Sequence, residues 1–142
     1  MNSIQDQKNI DQKKAILRLD LNVPLENGNI TDSTRIDKIL PTINFLLKNN
    51  TRIIVLSHVG RPKGKIINKL SLKPICENLE SKINTKIKLI TKDLKKVNSK
   101  NLFINNDEKV VMLENLRFYK EEEENNKDFA KHLASLADIY IN

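Results

Sequence analysis

The 142-residue sequence contains few of the residues on which several classes of protein depend. Its one cysteine, Cys76, excludes an internal disulfide, which is compatible with a reducing cytosol. Tryptophan is absent, and the six other aromatic residues do not alternate with lysines as a platform for stacking nucleic-acid bases would require. No apolar run approaches the length of a membrane span, and residues 1–14 lack the apolar core of an export signal. The composition therefore predicts a cytoplasmic globular protein.

Glycine is also scarce, which restricts the nucleotide-binding motifs that the chain can contain. With only three glycines, Gly28, Gly60 and Gly64, the sequence has no GxGxxG motif. Residues 60–65 (GRPKGK) are one residue too short for a P-loop, and Ile66 stands where a Ser or Thr would hold magnesium. The sequence predicts no nucleotide-binding site and no metal site in this chain.

The net charge of +7 raises the possibility of a nucleic-acid-binding protein. Residues 51–100 contain 13 basic and 3 acidic residues, whereas the rest of the chain is nearly balanced. Most of this excess is lysine on segments with the pattern of helix faces and loops. We therefore interpret it as a solvated basic surface and expect no nucleic-acid partner.

Short apolar segments alternate with segments of helical periodicity along the chain. The predicted strands are residues 15–23, 52–57, 86–90, 109–113 and 138–141. Two predicted helices begin after Asp32 and Ser71, and a third covers residues 127–136. Pro41 is expected to kink or split the first of them. Residues 91–108 have no clear pattern. The alternation predicts an α/β domain, an open parallel sheet with helices on both faces (Rossmann-like), and no internal domain boundary.

Polar residues follow three of the predicted strands. Asp20 and Asn22 lie at the carboxyl end of the first strand, His58 and Arg61 follow the second, and Arg117 follows strand 109–113. In an open parallel sheet the loops at these ends converge on one edge, where ligands bind. The sequence thus predicts an anion-binding site at this edge.

The identity of the arginines supports the same site. The chain has 20 lysines and only five arginines, and arginine alone offers a planar fork that can bind carboxylate or phosphate with two hydrogen bonds. Arg35 lies in the first turn of a predicted helix, where the macrodipole disfavours a cation. A bound anion nearby would compensate.

Several polar residues also have a structural interpretation. Arg18 can pair with Asp20 on the same strand face, and His58 can be a hydrogen-bonded structural residue. Surface positions are expected for Arg52 and His132. Cys76 is expected in the core. Residues 121–124 are four consecutive glutamates without metal-ligand spacing, and we expect them to form a solvated loop.

Four segments resemble consecutive blocks of the phosphoglycerate kinase family, in the order and with the spacing of that family. They are RLDLNVPLENGNITDSTRI (18–36), LSHVGRPKGK (56–65), LSLKPICENL (70–79) and LENLRFYKEEEENNKDFAKHLASLADIYIN (113–142). The resemblance covers nearly the whole chain after residue 14 and is highly specific.

The resemblance implies a function and a set of residues. Members of the family transfer a phosphoryl group reversibly between ATP and 3-phosphoglycerate, giving 1,3-bisphosphoglycerate and ADP, in glycolysis and gluconeogenesis. Their amino-terminal domain binds 3-phosphoglycerate, their carboxyl-terminal domain binds Mg-ATP or Mg-ADP, and the full-length enzymes are expected to be monomers. Arg35 is the implied catalytic residue, and the implied substrate-binding residues are Asp20, Leu21, Asn22, Arg35, His58, Val59, Gly60, Arg61 and Arg117.

The family's sequence continues beyond residue 142, so residues 1–142 are expected to form an incomplete amino-terminal domain without the nucleotide-binding domain. We expect this chain to be inactive alone, and its sheet to have an open edge near residues 138–142 that favours marginal stability or association. A binding module that does no chemistry and a basic nucleic-acid-associated protein are the alternatives from other classes.

Overall fold

The computed structural model describes residues 12–19, 25–26, 29–105 and 107–141. In these residues the strands are β1 (Lys14–Arg18), β2 (Leu25–Glu26), β3 (Asn29–Ile30), β4 (Arg52–Leu56), β5 (Ile87–Ile90), β6 (Val110–Leu113) and β7 (Ile139–Ile141). The helices are α1 (Thr34–Lys48), α2 (Lys73–Ile83), α3 (Ser99–Leu102), α4 (Lys120–Glu123) and α5 (Lys127–Ala134). Short 3-10 turns occupy Asn68–Leu70, Leu94–Lys96 and Leu116–Phe118.

Five of these strands form one sheet in the order β5-β6-β4-β1-β7. All its neighbouring strands are parallel, whereas β2 and β3 form a separate antiparallel pair. The open parallel sheet predicted from the sequence is therefore confirmed. Within the described residues, β7 and β5 are its edge strands.

The two faces of the sheet have separate hydrophobic cores, since alternate side chains of a strand point to opposite faces. Ile53 and Val55 of β4 pack with residues of α1 and α2. Ile54 and Leu56 pack on the other face with residues of α3 and α5. A strand covered on both sides must be apolar throughout, which explains the continuous apolar run in β4.

Pro41 does not split the first helix, although the sequence predicted a kink or a split there. Helix α1 runs through Pro41 from Thr34 to Lys48. A proline leaves the carbonyl four residues earlier without its helical donor, and this carbonyl belongs to Asp37. Both Pro41 and Asp37 are exposed, so water can satisfy that carbonyl and the helix can continue.

Residues 91–108 contribute to the core, which their poor pattern did not predict. Leu94 and Leu102 are fully buried, and Val97 and Phe103 are nearly so. They lie in a 3-10 turn, a one-turn helix and the segments beside them. Such short pieces are too brief to show a period of 3.6 or 2, so the burial comes from tertiary packing.

Two smaller expectations have clear outcomes. Cys76 is a core residue, as predicted: it is 4% exposed, and burial, with nearby glutamates, raises the pKa of its thiol to about 12. The surface position expected for His132 is wrong: its ring is half-buried and its Nε2 lies 2.9 Å from the carbonyl oxygen of Leu94. This contact joins α5 to the 3-10 turn at residues 94–96.

In the part of the chain that is described, no helix has the length and apolar character of a membrane span.

Candidate functional site

Ser57, the first residue after β4, joins three strand exits. Its side-chain hydroxyl is buried and donates a hydrogen bond to the carbonyl of Leu19, just after β1, at 2.9 Å. Its own carbonyl accepts from the backbone N–H of Leu116, just after β6, at 3.1 Å. These bonds fix the carboxyl ends of β1, β4 and β6 relative to one another.

Asn115 connects the loops that leave these strands. Its side chain is fully buried, and its amide nitrogen donates to the carbonyls of Val59 and Leu70, at 2.9 and 2.8 Å. Its amide oxygen accepts from the backbone N–H of Arg117 at 3.0 Å. The loop after β4, the turn before α2 and the loop after β6 are thus held by one side chain. We call this set of bonds the Asn115 clamp.

The carboxylate of Glu114 extends the connection to the start of α2. It accepts from the backbone N–H groups of Leu72 and Asn115, at 2.7 and 2.9 Å, and from the hydroxyl of Ser71 at 2.6 Å. A negative charge is favourable at a helix N-terminus, where unpaired N–H groups and the positive end of the macrodipole lie. Ser71, the predicted cap, also accepts from the N–H of Lys73, at 3.1 Å.

The predicted substrate residues of the loop after β4 differ in exposure. Val59 is buried, His58 is half-buried, and Gly60 and Arg61 are exposed. Gly60 has a φ of +65°, and a Cβ there would lie 2.7 Å from Leu70 Cδ2. The left-handed φ favours glycine at this position, and the close approach involves only the end of the flexible Leu70 side chain. The turn at Gly60 therefore fixes the path of the chain into Arg61.

Arg117 lies in the loop after β6. Its carbonyl accepts from the N–H of Gly64 at 3.1 Å, which attaches the segment after Arg61 to the same unit. About a third of its side chain remains exposed. His58, Arg61 and Arg117 thus belong to two loops held together by the Asn115 clamp, at the carboxyl edge of the sheet where the sequence placed them.

The other predicted residue that the structure describes is Arg35. Arg35 is exposed in the first turn of α1, next to Asp32. The pKa of Asp32 is lowered by hydrogen bonds from Thr34, with a smaller contribution from the charge of Arg35. The predicted residues Asp20, Leu21 and Asn22 lie outside the described residues; Leu19, which precedes them, is held by Ser57.

The sequence predicted a solvated loop for the glutamates at positions 121–124, and this prediction is wrong. Three of them lie in α4 and pair with basic side chains: Glu121 with Lys95, Glu122 with Arg18 and Glu123 with Arg117. Burial opposes the charge of Arg18, but its hydrogen bond and Coulomb attraction to Glu122 prevail, so its pKa is raised. Arg117 Nη1 lies 3.6 Å from Glu123 Oε1, and about a third of the Arg117 side chain is exposed.

Ser57, Glu114 and Asn115 were not singled out as functional residues from the sequence. Ser57 and Glu114 directly follow β4 and β6, and Asn115 follows Glu114; each is a polar residue beside a buried leucine, and this position is the signal that would have found them. Within the described residues, no group of three or more His, Cys, Asp or Glu side chains is arranged to hold a metal ion.

The fold and the position of these loops define an α/β protein of the open-sheet, Rossmann-like class with a basic carboxyl edge. The family model for phosphoglycerate kinase matches residues 4–142. This chain belongs to the phosphoglycerate kinase family, as its sequence motifs predicted.

Individual relatives agree with this assignment. The phosphoglycerate kinase of Borrelia garinii subsp. bavariensis is 41% identical over 140 residues, 99% of this chain and 36% of the relative. That of Wolbachia pipientis subsp. Culex pipiens is 48% identical over 130 residues, 92% of this chain and 33% of the relative. The structure of the Coxiella burnetii enzyme superimposes with a TM-score of 0.83 at 39% identity, covering 96% of this chain and 33% of that one. The chain spans about a third of the length of the relatives it matches.

Replacement of Asn115 by alanine tests the clamp. It removes three hydrogen bonds, one to a buried and one to a partly buried carbonyl and one from a backbone N–H group, so we expect the free energy of unfolding to fall by about 2–4 kcal/mol. Urea denaturation measures the change. Asn68→Ala, at an exposed position, is the matched control and should change stability by less than about 0.5 kcal/mol. Equal effects of the two substitutions would show that Asn115 does not hold the loops.

Proposed function

We propose that this chain supplies the 3-phosphoglycerate-binding part of a phosphoglycerate kinase, a cytoplasmic enzyme of glycolysis and gluconeogenesis. The observation that carries the proposal is the Asn115 clamp, which holds the segment with His58 and Arg61 against the loop with Arg117. Membership of the family supports the same assignment. The substrate is a small molecule, and the proposal includes no nucleic-acid or membrane partner.

The chemistry of the edge suits a substrate with one phosphate and one carboxylate. Arg61 and Arg117 offer guanidinium forks for the phosphate at carbon 3, and His58 adds a further donor. Both arginines keep exposed surface, so a ligand can reach them without unfolding a core. The loops are already fixed by buried bonds, and little conformational entropy is lost when the anion binds.

Arg35 is assigned the other end of the substrate. In the first turn of α1 it is near the N–H groups of a helix N-terminus, which favour an anion. There it would bind the carboxylate and offset charge on the phosphoryl group that moves. Asp20, Leu21 and Asn22 complete the proposed set and would orient the substrate hydroxyl and backbone. Phosphoryl transfer needs such positioning and charge compensation more than covalent help from the protein.

The nucleotide is not assigned a site on this chain. The family uses Mg-ATP or Mg-ADP as co-substrate, but the segment at residues 60–65 lacks the length and the hydroxyl of a P-loop. The residues named here are therefore given roles in binding and orienting 3-phosphoglycerate alone.

A titration of isotope-labelled protein with 3-phosphoglycerate, followed by amide chemical shifts, tests the substrate assignment. We expect saturable shifts at His58, Gly60, Arg61 and Arg117, and weaker shifts with inorganic phosphate. Arg117→Gln should weaken binding about 10- to 100-fold, because it removes a charge-assisted hydrogen bond.

Arg52→Gln is the matched control, since it removes the same charge from the opposite edge of the sheet. It should leave the affinity for 3-phosphoglycerate at the carboxyl edge unchanged within about twofold. The assignment would be contradicted if the protein is folded but the amides of the carboxyl edge show no shifts with the substrate. It would also be contradicted if both substitutions weaken 3-phosphoglycerate binding equally.

A coupled assay of the purified chain tests the expectation that it is inactive alone. Because residues 1–142 are assigned no site that would place ATP in line with the substrate, turnover by this segment should not exceed the background of protein-free reactions. Binding without turnover would fit a chain that supplies one substrate site. ATP-dependent turnover that is lost in Arg35→Gln but kept in Arg52→Gln would show instead that the chain is a complete catalyst.

A further inference from the structure

Three cations lie side by side at the amino ends of three adjacent strands: Lys14 and Arg52 are the first residues of β1 and β4, and Lys109 directly precedes β6. Lys14 of β1 is paired with Arg52 of β4. Because Ile53 is paired with Val110, Lys109 lies opposite Arg52 on the other side; the N–H of Ile53 donates to the carbonyl of Lys109 at 2.9 Å. We call these three residues the basic row. It lies at the amino ends of the strands, about 15 Å along β4 from the proposed substrate site.

The basic row lies on one face of the sheet. Side chains two residues apart share a face, and the residues two positions further on, Ile16, Ile54 and Val111, all belong to the core that contains Phe103. The Arg52 guanidinium carbon is 5.5 Å from the centre of the Phe103 ring, and the Lys14 ammonium is 6.0 Å from it.

The aromatic ring therefore fixes the positions of two of the three cations. The ammonium of Lys14 also donates to the carbonyl of Ser99 at 2.8 Å. Groups that are ordered before binding lose less entropy when a ligand arrives.

The cations of the basic row form no ion pair with a described acidic side chain. Like charges on neighbouring strands repel one another. Two acids close to the row bind other groups. Asp138 accepts from the backbone N–H of Lys14 at 3.0 Å, and Glu108 accepts from Lys88 and from the N–H of Ile104.

The same three residues line a cavity of about 500 Å³, together with Gln12 and Asn50. A cavity of this size is in the range that holds small-molecule ligands. The two amides add neutral donors beside the three cations. The cavity is thus polar, positively charged and open to a small anion.

We propose that the basic row and its cavity form a second anion-binding site, which takes a small molecule that carries two phosphate groups. Two strand spacings separate Lys14 from Lys109, about 10 Å between the outer backbones. Three cations spread over that width match two linked phosphates better than one. The site is separate from the proposed substrate site and does not depend on its assignment.

Titration of the labelled chain with pyrophosphate tests this site. The carboxyl edge can also bind an anion, so the position of the shifts is the readout. We expect saturable shifts at Asn50, Arg52 and Lys109, with inorganic phosphate binding more weakly there. Arg52→Gln and Lys109→Gln should each weaken pyrophosphate binding at this edge roughly tenfold, through the loss of a charge-assisted contact.

The matched control is Lys86→Gln, which removes an exposed lysine outside the basic row and should leave that affinity unchanged. Arg117→Gln should change only the shifts at the carboxyl edge. The proposal is overturned by a folded protein with no saturable shifts at the basic row. It is equally overturned if Lys86→Gln weakens binding as much as Arg52→Gln does, since binding would then follow net charge alone.

Discussion

The candidate site depends on the hydrogen bonds of one buried side chain, that of Asn115. Loops are held in one arrangement only when their backbone polar groups have partners, because an unpaired buried group costs about 1–3 kcal/mol. Asn115 supplies partners to three separate segments at once. Its amide has two donor hydrogens and an acceptor oxygen on one rigid plane, so it can bind these segments only in one relative position.

The sheet makes this arrangement possible. Strands β1, β4 and β6 are adjacent, and both of their faces are packed in apolar cores. Their carboxyl ends are therefore rigid points from which short loops can present His58, Arg61 and Arg117. The acidic helix α4 adds a counter-charge to this edge through Glu123. The amino edge has a different electrostatic character, since within the described residues its three cations form no ion pair with an acidic side chain.

The sequence predicted the fold because its strongest signals were local. Apolar strands such as β4 and amphipathic helices such as α2 can be predicted directly from residue periodicity. The segments that resemble the family follow one another in the family's order, which supported the same fold. The role of Asn115 could not be derived in this way, because its partners Val59 and Leu70 are 56 and 45 residues away. The pairing of Arg18 with Glu122, 104 residues apart, was missed for the same reason.

The positions of the candidate residues were partly predictable. His58, Arg61 and Arg117 could be placed at one edge because parallel strands put their carboxyl ends together. The basic row was missed because Lys14, Arg52 and Lys109 come from distant parts of the chain. Only the register of the strands shows that they are neighbours.

Native-state hydrogen exchange measures most directly whether the loops form one unit. The informative amides are those of Gly64, Leu116 and Arg117, whose acceptors are the carbonyl of Arg117, the carbonyl of Ser57 and the side chain of Asn115. If the clamp holds, the three amides are protected to a similar degree and their exchange rises together as urea is added, as in one cooperative opening. Independent opening, with Gly64 and Arg117 exchanging like an unstructured chain while Leu116 stays protected, would contradict a single held edge.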